Sequence, residues 1–353
     1  MKIAILHSQA KIKGGAVKTL FLTANELKND HDVDFYTFSF DKDNCFPDLN
    51  KDLNIINLNL SGAAKIFGII RLGFKLKGYD MVFAGNSPMH FAGALAKTLN
   101  PKLKVFWYLQ NIPLYYMEEN RSLLTSIKKM IERSLVISKV NIISNSLFIK
   151  NKVKEYFRKD SSLLYPCIDV DFFRKTDSTE EQYPSLFINS RFVSGKNIEL
   201  AIRSFIALKD EFPGLKLFIA GDGDEKEKLM KMSDNEKNII FLGEISPDKV
   251  NAYYNMATVF LFTSVIDAFG LTIIEAMSVG KPVVSVSVGG PLEIIENGIN
   301  GFLAEDESDF ISKIELLLGN ESLRTQIGNN ARLFVKEKFS LAALRAKLDM
   351  ILF

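Results

Sequence analysis

The sequence predicts an α/β protein with two doubly wound domains, residues 1–165 and 166–339. Short apolar runs suited to buried strands alternate with helical stretches, a pattern typical of parallel sheets. The chain of 353 residues is long enough for two domains of ordinary size. Pro166 stands just before Asp169 and Asp171 in a stretch that interrupts regular structure, which places the boundary near residue 166.

The first predicted domain alternates strands and helices. Its strands are expected at Lys2–Leu6, His31–Phe40, Ile55–Leu58, Tyr79–Ala84, Lys104–Tyr108 and Val140–Asn145. The pair Gly14 and Gly15 follows the first strand and precedes a helix that is expected to begin near Val17. Such glycines let the backbone approach a phosphate at a helix N terminus; the alternative is a turn that only requires positive φ.

The second predicted domain repeats this alternation. Its strands are expected at Leu186–Asn189, Leu215–Gly223, Asn238–Gly243, Val259–Phe262 and just after Pro282. Residues 286–303 are interpreted as a closing strand, a turn and a hairpin-like segment. A helical stretch runs over Phe310–Phe339, and leucines three or four positions apart predict a final helix over residues 340–353.

The stretch Phe262–Val284 carries the clearest functional pattern. Its loop follows a buried strand, where open α/β sheets bind ligands, and the next helix offers free backbone N–H groups to an anion. Asp267 and Glu275 bracket this loop and the start of the helix, and Glu275 can accept two hydroxyl hydrogen bonds from a ribose or sugar. Phosphate on the amides and hydroxyls on the carboxylates indicate a sugar nucleotide.

Arg191 and Lys196 form a second pattern, five positions apart in the loop after Leu186–Asn189. Two such cations can converge on one pyrophosphate, Arg as a planar fork and Lys as a point charge. Without this setting, two cations in a loop are commonly exposed surface charges. Their position after a strand, in the same domain as Asp267 and Glu275, favours diphosphate binding.

These motifs resemble the donor-binding signature of the retaining glycosyltransferases of family 4, also called glycosyltransferase group 1. The stretch D-A-F-G-L-T-I-I-E-A-M-S-V-G-K-P-V-V follows the family pattern of two acids separated by seven residues, and R-x-x-x-x-K fits it as well. The resemblance covers nearly the whole chain. It implies the GT-B fold, with two Rossmann-like domains facing across a cleft and the helix over residues 340–353 packed back on the first domain.

The resemblance also implies which residues act on the donor. Donor binding is carried over to Gly14, Gly15, Arg191, Lys196, Gly243, Ile245, Phe269, Gly270, Leu271, Thr272 and Glu275. The catalytic group is expected to comprise Asp267, Arg191, Lys196 and Gln110, with Asn111 beside Gln110 as a sugar-positioning group. Arg191 and Lys196 would stabilise the leaving diphosphate, and Gly243 and Ile245 would pass the nucleotide base.

Two of these positions depart from the family pattern. Asp267 stands where the family usually has the longer Glu, and Gln110 stands where many members have His. Gln110 can donate to and accept from a sugar hydroxyl, but it cannot take a proton at neutral pH. His7 is interpreted as structural or as lining the acceptor side. Further along, Tyr115, Tyr116, Arg121, Lys128, Lys129 and Arg133 are interpreted as flanking an acceptor or as an ordinary charged helix surface.

The expected function is that of a retaining glycosyltransferase, which moves a hexose from a UDP- or GDP-sugar to a hydroxyl of a glycan or lipid-linked glycan. No cofactor or metal is expected, because cations face the diphosphate and no His/Asp ligand cluster is visible. A sugar-nucleotide 2-epimerase of the same fold is the alternative. A two-lobed solute-binding protein would need export, and no signal peptide is visible at the N terminus.

Charge divides the sequence into a basic and an acidic half. Residues 1–165 hold 24 Lys and Arg against 14 Asp and Glu, whereas residues 166–353 hold 20 against 28. A basic domain attracts anionic partners such as lipid headgroups, and no nucleic-acid partner is expected. Ser61–Lys77 is apolar with four basic residues, so it fits either a helix lying on an anionic membrane or a sheet-covering helix with extended lysines.

The predicted location is the cytoplasm, with peripheral association at the inner face of the membrane. Cys45 and Cys167 lie far apart and in no metal-binding spacing, which is typical of free thiols in a reducing compartment. No stretch approaches 18 uninterrupted apolar residues, so a membrane-spanning helix is not expected.

Overall fold

Two parallel β-sheets divide the chain into two compact units. The computed structural model describes residues 1–10, 14–43, 45–46, 49, 51–113, 116, 122–176, 183–233 and 236–352. The first unit is Met1–Cys167 together with the carboxyl-terminal segment from Leu344, and the second is Ile168–Ala343. Neighbouring strands in both sheets run parallel, as the alternation of strands and helices predicts.

The sheet of the first unit reverses its strand order beside its first strand. Its strands are β1 (Lys2–His7), β2 (Asp32–Thr37), β3 (Asn54–Asn57), β4 (Met81–Ala84), β5 (Lys104–Leu109), β6 (Asn141–Ser144) and β7 (Ser162–Leu163). Its helices are α1 (Gly15–Lys28), α2 (Ala64–Leu76), α3 (Met89–Leu99), α4 (Leu123–Ile131), which a π-helical segment (Glu132–Ile137) continues, and α5 (Leu147–Phe157). The spatial order is β3-β2-β1-β4-β5-β6-β7.

The second unit is built in the same way. Its strands are β8 (Ser185–Asn189), β9 (Lys216–Ala220), β10 (Ile239–Gly243), β11 (Val259–Phe262), β12 (Val283–Val286) and β13 (Phe302–Ala304). Its helices are α6 (Ile198–Leu208), α7 (Lys226–Met232), α8 (Pro247–Met256), α9 (Leu271–Ser278), α10 (Glu307–Gly319) and α11 (Glu321–Lys338), followed by α12 (Leu341–Leu352), which continues into the first unit. The spatial order is β10-β9-β8-β11-β12-β13.

The apolar runs form strands because both faces of each sheet are covered. Ile3, Ala4, Ile5 and Leu6 of β1 are fully buried, and so are three of the four residues of β11. Such continuous burial is typical of parallel sheets with helices on both sides. Local signals then set the helix ends: the Ser146 hydroxyl accepts from Ile149 N at 3.1 Å and begins α5.

Three features differ from the sequence-based expectation. The stretch Phe310–Phe339 is two helices, because Asn320 adopts an extended conformation and its side chain caps α11 by accepting from Leu323 N at 2.9 Å. The segment expected to form a hairpin-like structure forms β13, which pairs parallel with β12. Strand β7 was not predicted, because its two residues give no periodic signal.

Across the part of the chain that the structure describes, every helix is too short or too polar to span a membrane.

Candidate functional site

The strand order of the second sheet changes direction between β8 and β11, which pair through Val259 with Leu186 and Phe260 with Phe187. Loops that leave such a switch point on opposite sides open a crevice at the carboxyl ends of the strands. Lys196 follows β8 and Asp267 follows β11, and the Lys196 Nζ atom lies 2.6 Å from Asp267 Oδ1 and 2.5 Å from Oδ2. The structure therefore joins two predicted site residues, 71 positions apart, by an ion pair at the switch point.

Backbone contacts hold this ion pair in place. The Thr263 hydroxyl donates to the Lys196 carbonyl oxygen at 2.6 Å, and Val265 N donates to the Gly195 carbonyl oxygen at 3.0 Å. A Cβ atom on Gly195 would lie 2.6 Å from Ile266 Cγ2, so the two loops meet at a distance that a larger residue would disturb. The charges of Lys196 and Asp267 are thus positioned by loops that are bound to each other.

Arg191 lies exposed on the same loop as Lys196, at the same edge of the sheet. Gly221 and Gly223, which follow β9, let their own backbone pass close to the backbone of the loop that carries Arg191. A Cβ on Gly221 would lie 1.8 Å from Ser190 O, and one on Gly223 would lie 2.5 Å from Phe192 O. Phe192 N donates to Asp222 O at 2.8 Å, which fixes the loop on either side of Arg191. These two glycines position the predicted diphosphate cation.

The loop before α9 is fixed by contacts with Gly290. A Cβ on Gly290 would lie 2.2 Å from both the Cα and carbonyl oxygen of Phe269, and Gly290 N donates to Asp267 O at 3.2 Å. Gly270 has φ of 116°, a conformation that favours glycine, and no side chain caps the N terminus of α9. Leu271 and Thr272, half-buried in the first turn, therefore present their backbone N–H groups at the switch-point edge.

Glu275 lies buried on α9, and its Oε2 atom accepts a hydrogen bond from the Tyr254 hydroxyl at 2.8 Å. Tyr254 is fully buried on α8, with its ring centroid 5.3 Å from those of Phe187 and Phe260. Burial, and then the Glu275 carboxylate, raise the pKa of Tyr254 well above its ordinary value, so the hydroxyl remains a donor. Tyr254 orients Glu275 from a different helix, a contact that no local sequence pattern indicates.

Gly243 ends β10 and Ile245 lies in the loop that follows, two strands away from β8 at the same edge of the sheet. Gly243 has φ of 66°, and its carbonyl oxygen accepts from Gly221 N at 2.8 Å. The base-binding candidates are thus connected through Gly221 to the turn that supports Arg191. Every predicted site residue of the second unit lies at this one edge.

The remaining predicted site residues belong to the first unit. The Gln110 Nε2 atom donates to Ala16 O at 3.3 Å, so the structure brings Gln110 to the first turn of α1, next to Gly15. Gly14 has φ of −144° and Gly15 is not among the residues with positive φ, which contradicts the alternative of a turn that requires positive φ. A Cβ on Gly14 would meet nothing within 4 Å, so its surroundings are open. Asn111 is exposed beside Gln110.

His7 ends β1, next to the point where the first sheet reverses its order. Its Nδ1–H group donates to Gln9 O at 2.7 Å. Burial lowers the pKa of His7 to about 4, and the hydrogen bond to Gln9 opposes this shift. His7 is therefore a neutral imidazole at neutral pH, with its Nδ1 atom held beside the Gln9 backbone.

Several residues that were expected to flank an acceptor are buried or fall outside the part of the chain that the structure describes. Tyr115, Arg121 and the side chain of Lys128 lie outside the described residues. Tyr116 is buried rather than exposed, with its ring centroid 4.8 Å from that of Phe157. Within the described ranges, no group of three or more His, Cys, Asp or Glu side chains is placed to hold a metal ion.

Comparisons with known proteins show which families and folds the chain is similar to. Residues 169–334 match the model of the family described as Glycosyl transferases group 1. The alpha-1,3/1,6-mannosyltransferase ALG2 of Mus musculus is 29% identical over 288 residues, which cover 73% of this chain and 65% of the mouse protein. The alignment thus spans just under two thirds of that relative. The Candida albicans ALG2 is 27% identical, with 99% of this chain and 98% of that protein covered.

The fold also has a close match among solved structures. Anabaena HepE, solved in complex with UDP-glucose, superposes with a TM-score of 0.82 at 18% identity, covering 100% of this chain and 99% of that chain. This likeness confirms the GT-B fold that the sequence predicts.

Proposed function

We propose that the chain, whose residues 169–334 match the model for Glycosyl transferases group 1, transfers a hexose from a nucleoside-diphosphate sugar to a hydroxyl of a glycan or lipid-linked glycan. The donor is a UDP- or GDP-sugar, and the anomeric configuration of the sugar is retained. The observation that carries this proposal is the Lys196–Asp267 ion pair at the switch point between β8 and β11.

The surroundings of this ion pair support a diphosphate ligand. Lys196 is buried with its charge at the ligand-binding edge of the sheet, and Arg191 lies exposed on the same loop. The uncapped N terminus of α9 follows Asp267 and adds backbone donors and a positive dipole end. Glu275, oriented by Tyr254, is a fixed acceptor for donor hydroxyls.

The proposed reaction breaks the bond between the sugar C1 atom and the diphosphate oxygen while the acceptor oxygen bonds to C1. The acceptor hydroxyl proton passes to the leaving phosphate oxygen, so no protein base is required. Arg191 and Lys196 stabilise the charge that develops on the diphosphate. Asp267 and Gln110 hold sugar hydroxyls in position, and no metal or cofactor is needed because these cations face the diphosphate.

The proposed acceptor is presented at a membrane surface. Residues 1–165 hold 24 basic against 14 acidic residues, a balance that attracts anionic lipids and lipid-linked phosphates. The two relatives named above are mannosyltransferases by name, which makes mannose the first sugar to test. The protein is proposed to act in the cytoplasm, associated peripherally with the membrane.

Thermal unfolding with UDP, GDP, ADP and NAD tests the donor site. A ligand at 100 times its Kd stabilises the folded state by about 2.7 kcal/mol. We expect UDP or GDP to raise the Tm of the wild type. Lys196→Ala and Glu275→Ala should lose this response. EDTA should leave the response of the wild type unchanged. Lys209→Ala is the matched control, because Lys209 pairs with Glu236 in the same unit away from the site. Stabilisation by NAD alone, or by none of the four, would contradict the proposal.

Product analysis then tests the reaction. Incubation with GDP-mannose or the UDP-sugars and a lipid-linked or soluble glycan should release the nucleoside diphosphate only when acceptor is present. The anomeric configuration of the product is read by NMR. Formation of an epimeric sugar nucleotide without acceptor would instead support the 2-epimerase, which no comparison above favours.

A further inference from the structure

Helix α2 of the first unit presents large apolar side chains to solvent. Phe67 is 76% exposed and Phe74 is 52% exposed, and Ile66 and Ile70 are exposed with them. The spacing of these four residues places them on one face of the helix. An exposed set of this size on one helix marks an interaction surface.

The opposite face of α2 already anchors the helix to the fold. Leu72 and Leu76 are buried, and a Cβ on Gly73 would lie 2.7 Å from the Leu95 side chain of α3. The helix therefore has two apolar faces, of which the inner one packs on the protein. Because the inner face secures the helix, the outer face is available for a partner.

The charges around α2 indicate the chemistry of that partner. Between Asp52 and Asp80 the sequence has no acidic residue, and the basic residues in this stretch are Lys65, Arg71, Lys75 and Lys77. Arg71, Lys75 and Lys77 are exposed. Protein interfaces are depleted in lysine, whereas apolar side chains flanked by lysine and arginine fit the headgroup region of an anionic bilayer.

A second helix adds to this surface. On α4, Leu123 is 76% exposed and Met130 is 63% exposed, and Ile127 is exposed with them. The connections from β3 to β4, β4 to β5 and β5 to β6 cross the sheet in one direction, so right-handed crossovers place α2, α3 and α4 on the same face. Helix α3 packs against both α2 and the π-helical segment that continues α4. The two exposed apolar faces thus flank α3 on one side of the sheet.

We propose that α2, with α4 beside it, docks the protein on an anionic phospholipid bilayer. The α2 axis lies in the plane of the interface, Phe67 and Phe74 enter the acyl region, and Arg71 and Lys77 meet lipid phosphates. This inference rests on the proposed function, because docking through this surface would bring the first unit to an acceptor in the membrane. Docking itself is measured without sugar transfer.

Vesicle flotation of the full chain tests the proposal. Neutral phosphatidylcholine vesicles are compared with vesicles that contain about one third phosphatidylglycerol. We expect binding to the anionic vesicles that salt weakens. Phe67→Ser with Phe74→Ser should reduce the partition coefficient about tenfold or more. Arg71→Gln with Lys77→Gln should reduce it about fivefold for each charge removed.

Matched controls separate docking from folding. Leu333→Ser removes an exposed leucine of α11 in the second unit and should bind vesicles like the wild type. The Tm response to UDP or GDP should be the same in all these variants. Met130→Ser should weaken binding less than the α2 substitutions, because α4 contributes a smaller surface.

Three outcomes would overturn the proposal. In the first, the wild type would not float with anionic vesicles. In the second, the α2 variants would float as well as the wild type. In the third, the same substitutions would dissociate a dimer that does not bind vesicles. The last result would identify the occupant as a second copy of the chain. Vesicle binding without any nucleotide response would leave docking supported and contradict the proposed function, and the reverse pattern would contradict docking alone.

Discussion

Lys196 donates to both carboxylate oxygens of Asp267, at 2.6 and 2.5 Å, so its charge is neutralised before any ligand arrives. The side chain of Lys196 is largely buried, and that of Asp267 is about a third exposed. A diphosphate that binds here must share Lys196 with Asp267. The two residues therefore have opposite effects on binding of a nucleoside diphosphate.

Asp267→Asn should bind a nucleoside diphosphate without sugar about fivefold more tightly, because Lys196 is released and a nearby negative charge is removed. Lys196→Ala should bind it about 30-fold or more weakly. Both substitutions should lower kcat/KM for transfer. Isothermal titration with UDP and GDP measures the binding, and equal losses in both variants would show that Asp267 does not compete for Lys196.

Tyr254→Phe should uncouple Glu275 from its orienting hydroxyl. A hydrogen bond to a carboxylate stabilises a protein by about 1.5–3 kcal/mol, so urea unfolding should show a loss of that order. The KM for the donor should rise more than kcat falls. Tyr253→Phe is the matched control on the same helix, because its ring stacks on Phe187 with a centroid separation of 5.8 Å. Unchanged donor KM in Tyr254→Phe would assign the hydroxyl a structural role alone.

Gly290→Ala should displace the loop that carries Asp267 and Phe269, since a Cβ there would lie 2.2 Å from the Phe269 backbone. We expect a loss of about 2–4 kcal/mol in the free energy of unfolding and weaker nucleotide binding. At Gly319 a Cβ would meet nothing within 4 Å, so Gly319→Ala should leave both quantities nearly unchanged. Similar results for the two variants would show that the loop adjusts freely.

Stability should fall in mild acid because of His7. Its pKa is about 4 in the folded protein, against 6.5 for an ordinary imidazole, so the unfolded chain binds the proton first. The stabilisation is complete above pH 6.5 and is lost as the pH falls towards 4, by up to about 3 kcal/mol. Urea unfolding between pH 4 and 7 measures this slope, which should be shallower in His7→Gln. Parallel slopes in the two proteins would contradict the assignment.

Local patterns were sufficient to predict the fold and to propose most residues of the candidate site. Strand β11 has the predicted bounds, because a short apolar run next to the D-A-F-G-L loop leaves little ambiguity. The break at Asn320 was missed, although Asn at the start of N-E-S-L is a recognisable helix N-cap. Two interpretations of Ser61–Lys77 were open, a helix lying on a membrane and a helix covering the sheet. Burial does not choose between them, because α2 both covers the sheet and exposes Phe67.

Contacts between distant residues could not be predicted. The Lys196–Asp267 pair spans 71 positions and the Tyr254–Glu275 pair spans 21. Both contacts depend on which strands become neighbours in the sheet. The local spacing of apolar residues in a single sequence does not reveal that order. The close approach of Gly290 to Phe269 likewise appears only when β12 lies beside β11.

The first unit is completed by residues far along the chain, which affects how the protein folds during synthesis. Arg345 on α12 pairs with Asp30 and donates to Glu26 O at 3.0 Å, and 315 positions separate Arg345 from Asp30. At about 5–20 residues per second, a ribosome needs roughly 15–60 s to make that interval. The nascent first unit therefore waits with this part of its surface uncovered, while the contiguous second unit can fold as it emerges.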